Sequence, residues 1–129
     1  MRIIVNQNDK GFTLIEVLVA TVILTISMLG VLEAVVMSIQ QNLNNLSRDE
    51  SVRIAEQRMN ELRNSSFASL ATGSSTITRS FKKFTRTFNV NWTVTALSTN
   101  SFAVQVVVTW TTRGKAYSHS ITSIISRGT

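Results

Sequence analysis

The sequence predicts an α+β fold: a long N-terminal helix, transmembrane in its first half and amphipathic in its second, packed on a small antiparallel sheet of three to four strands. Three observations carry this reading. Phe12–Met37 is an almost unbroken apolar run, Ser38–Asn64 holds apolar residues at helical spacing within a polar background, and from Phe88 onward apolar and polar residues alternate. The first two patterns suit a helix and the third a half-buried strand. At 129 residues the chain is one domain plus an anchor. Four segments follow: residues 1–11, 12–37, 38–64 and 65–129.

Met1–Gly11 is a leader too short and too polar to hold structure. Arg2 and Lys10 flank the apolar run on its N-terminal side, with Asp9 diluting the signal slightly. Basic flanking residues stay on the cytoplasmic side, so this end is expected inside and the rest of the chain translocated. No secretory signal fits, because such a signal has an apolar region of about 7–15 residues followed by a small-residue cleavage site. The run here is longer, and no such site follows it.

The apolar run Phe12–Met37 has 26 residues, roughly 39 Å as a helix and enough to cross a hydrocarbon core of about 30 Å. Two charges interrupt it, Glu16 and Glu33. Glu33 lies near the outer boundary and can reach water along its own stem. Glu16 lies one turn inside the start. An ionisable group at that depth costs on the order of 2.5–3.5 kcal/mol, so it needs a partner and a task. A plain membrane anchor explains neither Glu16 nor the Lys10-Gly11-Phe12 junction.

The run KGFTLIEVLVA, Lys10–Ala20, resembles the N-terminal motif of type IV pilins and of the pseudopilins of type II secretion. The resemblance implies that a prepilin peptidase cuts between Gly11 and Phe12 and methylates the new amino end of Phe12. It also implies that Glu16 pairs with the N-terminal amine of a neighbouring subunit during assembly. The expected partners are therefore the prepilin peptidase/methylase, other pilin or pseudopilin subunits, the inner membrane and its assembly platform. The implied location is the inner membrane, single-pass, with a periplasmic C-terminal domain, and then a pilus or pseudopilus. AEQRMNELRNSSF, Ala55–Phe67, resembles more weakly the end of the long helix in minor pilins of the pilus-modification type. The chain departs from many major pilins in having no cysteine and no proline, and these absences with the short C-terminal region favour a minor subunit. A minor pseudopilin shares the pattern, and residues alone do not separate the two.

Ser38–Asn64 contains neither proline nor glycine and is rich in good helix formers. Ile39, Leu43 and Leu46 step by three and four, as do Val52, Ala55, Met59 and Leu62. The phase slips between these groups, around Ser47–Ser51, where a bend or a change of inward face is expected. Gly30 is a second place for the helix to loosen. Acidic and basic residues alternate from Arg48 to Arg63 and read as a solvated face with ion pairs one turn apart. Asn64-Ser65-Ser66 ends the helix.

Ala68–Ser80 is rich in Ser, Thr and Gly and reads as a loop with one short strand near Ile77. In FKKFTRTF, Phe81–Phe88, aromatic and cationic residues interleave. Such a run can stack bases and hold phosphates, which makes Lys82, Lys83 and Arg86 candidates for anion binding. The preferred reading is structural, with the aromatics turned inward. Phe88, Val90, Trp92, Val94 and Ala96 then share one face, and Phe102, Val104, Val106, Val108 and Trp110 repeat it. Turns are expected at Ser98–Ser101 and Gly114, and Tyr117, His119, Ile121 and Ile125 form a less regular last strand at the sheet edge. Trp92 and Trp110 are expected core residues. The amphipathic half of the helix is the cover for this face.

The composition argues against catalysis. There is no cysteine and one histidine, His119, so neither a thiol nucleophile nor a histidine-cluster metal site is available. The glycines at 73 and 114 stand alone and build no phosphate loop. No enzyme activity and no cofactor are expected. The net charge is +6, and residues 65–129 carry seven basic side chains and no acidic one. Such a domain attracts anionic partners, nucleic acid among them, although a DNA-binding role in a competence pilus remains the weaker alternative.

Overall fold

The computed structural model describes residues 11–82 and 84–127. The chain divides into two compact units, Met1–Gln41 and Asn42–Thr129. One helix, α1 (Leu14–Asn64), is followed by a short 3-10 turn at Phe67–Ser69. Four strands then follow: β1 (Gly73–Phe81), β2 (Phe84–Ser98), β3 (Ser101–Thr112) and β4 (Lys115–Ser126). They form one sheet in the order β1-β2-β3-β4 with every neighbouring pair antiparallel. This is the α+β arrangement the sequence predicts, a long apolar-led helix packed on a four-stranded meander.

The last half of α1 covers the sheet through a narrow stripe. Its buried residues are Ser47, Ser51, Ile54, Ala55, Met59 and Leu62, which advance by about one turn each and therefore lie on one face. The helix is continuous through Gly30 and through Ser47–Ser51. The inward face changes there, since Ile39 and Leu46 do not join the buried stripe, at 55% and 42% exposure. The apolar pattern slips because two serines carry the stripe where larger residues would hold the helix away from the sheet. Their hydroxyls are satisfied internally, Ser47 donating to the Leu43 carbonyl at 3.0 Å and Ser51 to the Arg48 carbonyl at 2.6 Å. A buried hydroxyl bonded to its own helix avoids most of the cost of desolvation.

From the sheet side the core is Phe88, Val90, Val104, Val106, Val108 and Trp110. These are the alternate positions of β2 and β3 that the period-two reading selects. Trp92 is half-buried at the rim, where its indole N–H donates to the Ala71 carbonyl at 2.9 Å. The Arg58 guanidinium lies 4.4 Å from the centre of the Trp92 ring and donates to Ser75 Oγ at 3.0 Å. Arg58 therefore packs on the sheet while also pairing with Glu61 at 2.8 Å. Arg63 donates to Ser123 Oγ at 2.7 Å, and Glu50 pairs with Arg79 of β1 at 2.9 Å. The polar side of the helix is thus partly enlisted in holding the sheet.

The region expected to be a loop is corrected. β1 is nine residues long and pairs with β2 along its whole length, from Gly73 opposite Trp92 to Phe81 opposite Phe84. Its Ser, Thr and Gly content misleads because only alternate residues of an edge strand need to be apolar, and Ile77 and Phe81 suffice. β3 and β4 are joined by Arg113 and Gly114, with φ of 51° and 77°, the pair of positive values that a two-residue type I′ hairpin requires. The first of these falls on an arginine, a placement the lone glycine did not signal.

Two substitutions test which face of α1 is buried. Ser51→Leu should overpack the helix–sheet contact and cost about 1–3 kcal/mol. Leu46→Ser, on the open side, should stay within about 0.5 kcal/mol. Urea unfolding of the full chain in detergent, followed by tryptophan fluorescence, measures both.

Candidate functional site

The site begins where the helix begins. Gly11, Phe12 and Thr13 precede the first helical residue, Leu14. A side chain at position 11 would meet nothing within 4 Å, and Phe12 is 89% exposed. Among the described residues, Gly11 and Phe12 are therefore exposed and non-helical. The expected helix start at Phe12 moves two residues along, and the reason is a cap.

Thr13 and Glu16 close a reciprocal capping box. The Thr13 N–H donates to Glu16 Oε2 at 2.9 Å, and the Glu16 N–H donates to Thr13 Oγ1 at 3.3 Å. Each satisfies an amide that the first turn of a helix leaves without a partner. The carboxylate also stands at the positive end of the helix dipole. Glu16 thus has a partner within its own chain, and among the described residues only its Oε2 accepts a hydrogen bond. Sequence reasoning passed over Thr13, although Thr-x-x-Glu ahead of an apolar run is a legible capping signal.

Beyond the cap the first half of α1 is apolar on almost every side. An 18-residue window of this helix is long and apolar enough to cross a membrane, and none of it is buried within the chain. Its few hydroxyls cause no difficulty in a dry environment. Thr21, Thr25 and Ser27 each donate to the carbonyl four residues back, at 2.6, 2.8 and 2.8 Å. In lipid every polar group must be satisfied internally, and these are. The single N-terminal apolar helix fits membrane anchoring. Glu33 lies on the same exposed surface, beside Leu29, Val36 and Gln40.

Residues 6–32 match the family model for the prokaryotic N-terminal methylation motif. This supports a type IV pilin-like protein. The match spans Gly11, Phe12 and Glu16 together with most of the apolar run. It indicates a prepilin-processed subunit, which implies a prepilin peptidase and other pilin subunits as partners, and it points to a structural role rather than to catalysis. No curated protein and no solved structure matches the chain.

Of the basic residues singled out in FKKFTRTF, Lys82 and Arg86 are described. Lys82 is exposed in the β1–β2 turn, and Lys83 lies outside the described residues. Arg86 is half-buried on the helix side of β2, where its guanidinium donates to the Thr111 carbonyl and to Thr112 Oγ1 and lies over the Phe84 ring. Phe81 and Phe84 stack on each other with centroids 4.5 Å apart and planes 12° from parallel. His119 lies on the helix side of β4, opposite Val108.

If Glu16 caps the helix, Glu16→Ala should speed hydrogen exchange of the Thr13 amide in detergent micelles by roughly fivefold, the equivalent of a cap worth about 1 kcal/mol. Exchange at Thr13 unchanged by the substitution would show that the carboxylate contributes no cap.

Proposed function

We propose that the chain is a minor type IV pilin, cleaved between Gly11 and Phe12, N-methylated at Phe12, and assembled into a pilus or its tip complex. The observation that carries this reading is the Glu16 carboxylate. It is fixed at the helix start by its own capping box through Oε2, within an apolar surface that the described residues leave uncovered. The match to the methylation motif supports the processing step, and the absence of cysteine and proline from the sequence supports a minor rather than a major subunit.

In this mechanism cleavage creates an α-ammonium at Phe12. Helices then pack side by side through their apolar surfaces, and the amine of one subunit meets Glu16 of another. Each charge alone would be costly in that dry surrounding, so they are tolerated only as a pair. The pair sets axial register more than it adds stability, because desolvation offsets most of the attraction. Capping prepares the carboxylate for this role by holding it at one height on the helix.

The nucleic-acid alternative draws less support. Its aromatic residues are engaged with each other, and Arg86 is engaged with β3. The type II secretion alternative shares the assembly chemistry and differs in the machinery encoded nearby.

The mass of the protein purified from its own cells tests the processing. The expected species starts at Phe12 and carries one additional methyl group, and a chain still starting at Met1 would overturn the reading. Glu16→Ala should leave this processing intact while lowering recovery in sheared filaments severalfold or more. Normal recovery would exclude the charge pair as the device of assembly.

A further inference from the structure

The open edge of β4 and the cleft beside it have no role in the filament reading. β4 runs for twelve residues, Lys115–Ser126, in an unbroken register with β3, and its one charged residue stands at its first position. It contains no proline, and no bulge interrupts its pairing. Edge strands that must stay unpaired are usually protected by inward charges, prolines or bulges, and β4 has none of these. β1, at the other edge, is shorter and carries Arg79, which pairs with Glu50.

Beside this edge, Asn44 and Arg48 of α1 face Trp110, Tyr117 and His119 across a cleft of about 380 Å³. The Trp110 and Tyr117 rings stack at 5.8 Å and form one wall. Asn44 Oδ1 and His119 Nε2 are both closed off from solvent and have no hydrogen-bond partner among the described residues. Buried polar atoms are rarely left unpaired, so two in one cleft point to a group that completes them. Arg48 makes neither of the ion pairs found among the described residues, and its chain neighbour Asp49 makes neither as well. Lys115 adds a further cation, 5.6 Å from the centre of the Tyr117 ring.

We infer that β4 is a docking edge for an extended, carboxylate-bearing segment of a different protein, which adds a fifth strand and places an Asp or Glu in the Asn44–Arg48–His119 cleft. A strand added at β4 lies about 4.8 Å away and turns alternate side chains toward the helix side, where Tyr117 and His119 stand. A carboxylate there accepts from the Arg48 guanidinium and from His119 Nε2–H. Half a turn of the Asn44 amide offers its NH₂ to the same group. A second copy is the poorer occupant, because residues 65–129 contain no acidic side chain to offer and seven basic ones that repel. The surface lies wholly within Asn42–Thr129 and does not depend on processing at Gly11.

The test uses the full chain in detergent and three synthetic peptides of about ten residues, long enough to span an edge strand. Each alternates threonine and valine and carries Glu, Gln or Lys at its central positions. The Glu peptide should slow hydrogen exchange at β4 amides and not at β1. It should bind about tenfold or more tightly than the Gln peptide, as charge-assisted hydrogen bonds allow. Arg48→Glu, on the exposed face of the helix, should abolish that preference. Equal binding of the Glu and Gln peptides, or a Glu preference that survives Arg48→Glu, would overturn the carboxylate site. Protection at β1 or at neither edge would overturn the docking edge. Protection of β4 that rises with the chain's own concentration, without peptide, would make a second copy the occupant and overturn the inference.

Discussion

An apolar helical surface that its own chain leaves bare is the constraint on which the other features depend. The first half of α1 is long enough to cross a bilayer and none of its apolar window is buried. Burial of apolar surface is the main favourable term in folding, so a surface of this kind is stable only in lipid or against other helices. Both environments exclude water. Every polar group placed there must be satisfied within the helix or by a neighbour, and the hydroxyls of Thr21, Thr25 and Ser27 meet that condition locally.

Glu16 meets it by a different route. Its carboxylate serves the first turn of the helix, and this converts an isolated charge into part of a cap. The arrangement separates two tasks that sequence reasoning had merged. The cap settles where the carboxylate sits, and the remaining oxygen can bond to an external donor without dismantling the first turn. An ionised group held in this way has lost its side-chain freedom before any partner arrives, which lowers the entropy cost of pairing.

Charge is divided between the two layers of the second unit. The acidic residues of the second unit, Asp49, Glu50, Glu56 and Glu61, all lie on α1, and residues 65–129 carry seven basic side chains and no acidic one. Glu50 and Arg79 draw the layers together, while Arg58 and Arg63 reach from the helix to Ser75 and Ser123. Partly exposed ion pairs of this kind contribute about 0–1 kcal/mol each, so they orient the helix more than they hold it. The hold comes from Ile54, Met59 and Leu62 against Phe88, Val106 and Val108. The serines at 47 and 51 extend that contact because they are small.

Residues alone determined the apolar span, the position of Glu16, the end of the helix at Asn64 and the inward faces of β2 and β3. Each of these rests on local periodicity or on a short motif, and both are written directly in the order of side chains. Tertiary structure decided the rest. Ser47 and Ser51 read as a break in the pattern because periodicity counts apolar residues, whereas close packing selects for size. β1 read as a loop because its Ser, Thr and Gly content is that of a turn, whereas an edge strand takes its hold from the hydrogen bonds it shares with β2 and needs few apolar side chains of its own. The Trp92 rim contact with Arg58, and the cleft that joins Asn44 and Arg48 to His119, depend on distances between elements, and no spacing along one chain encodes a distance across two.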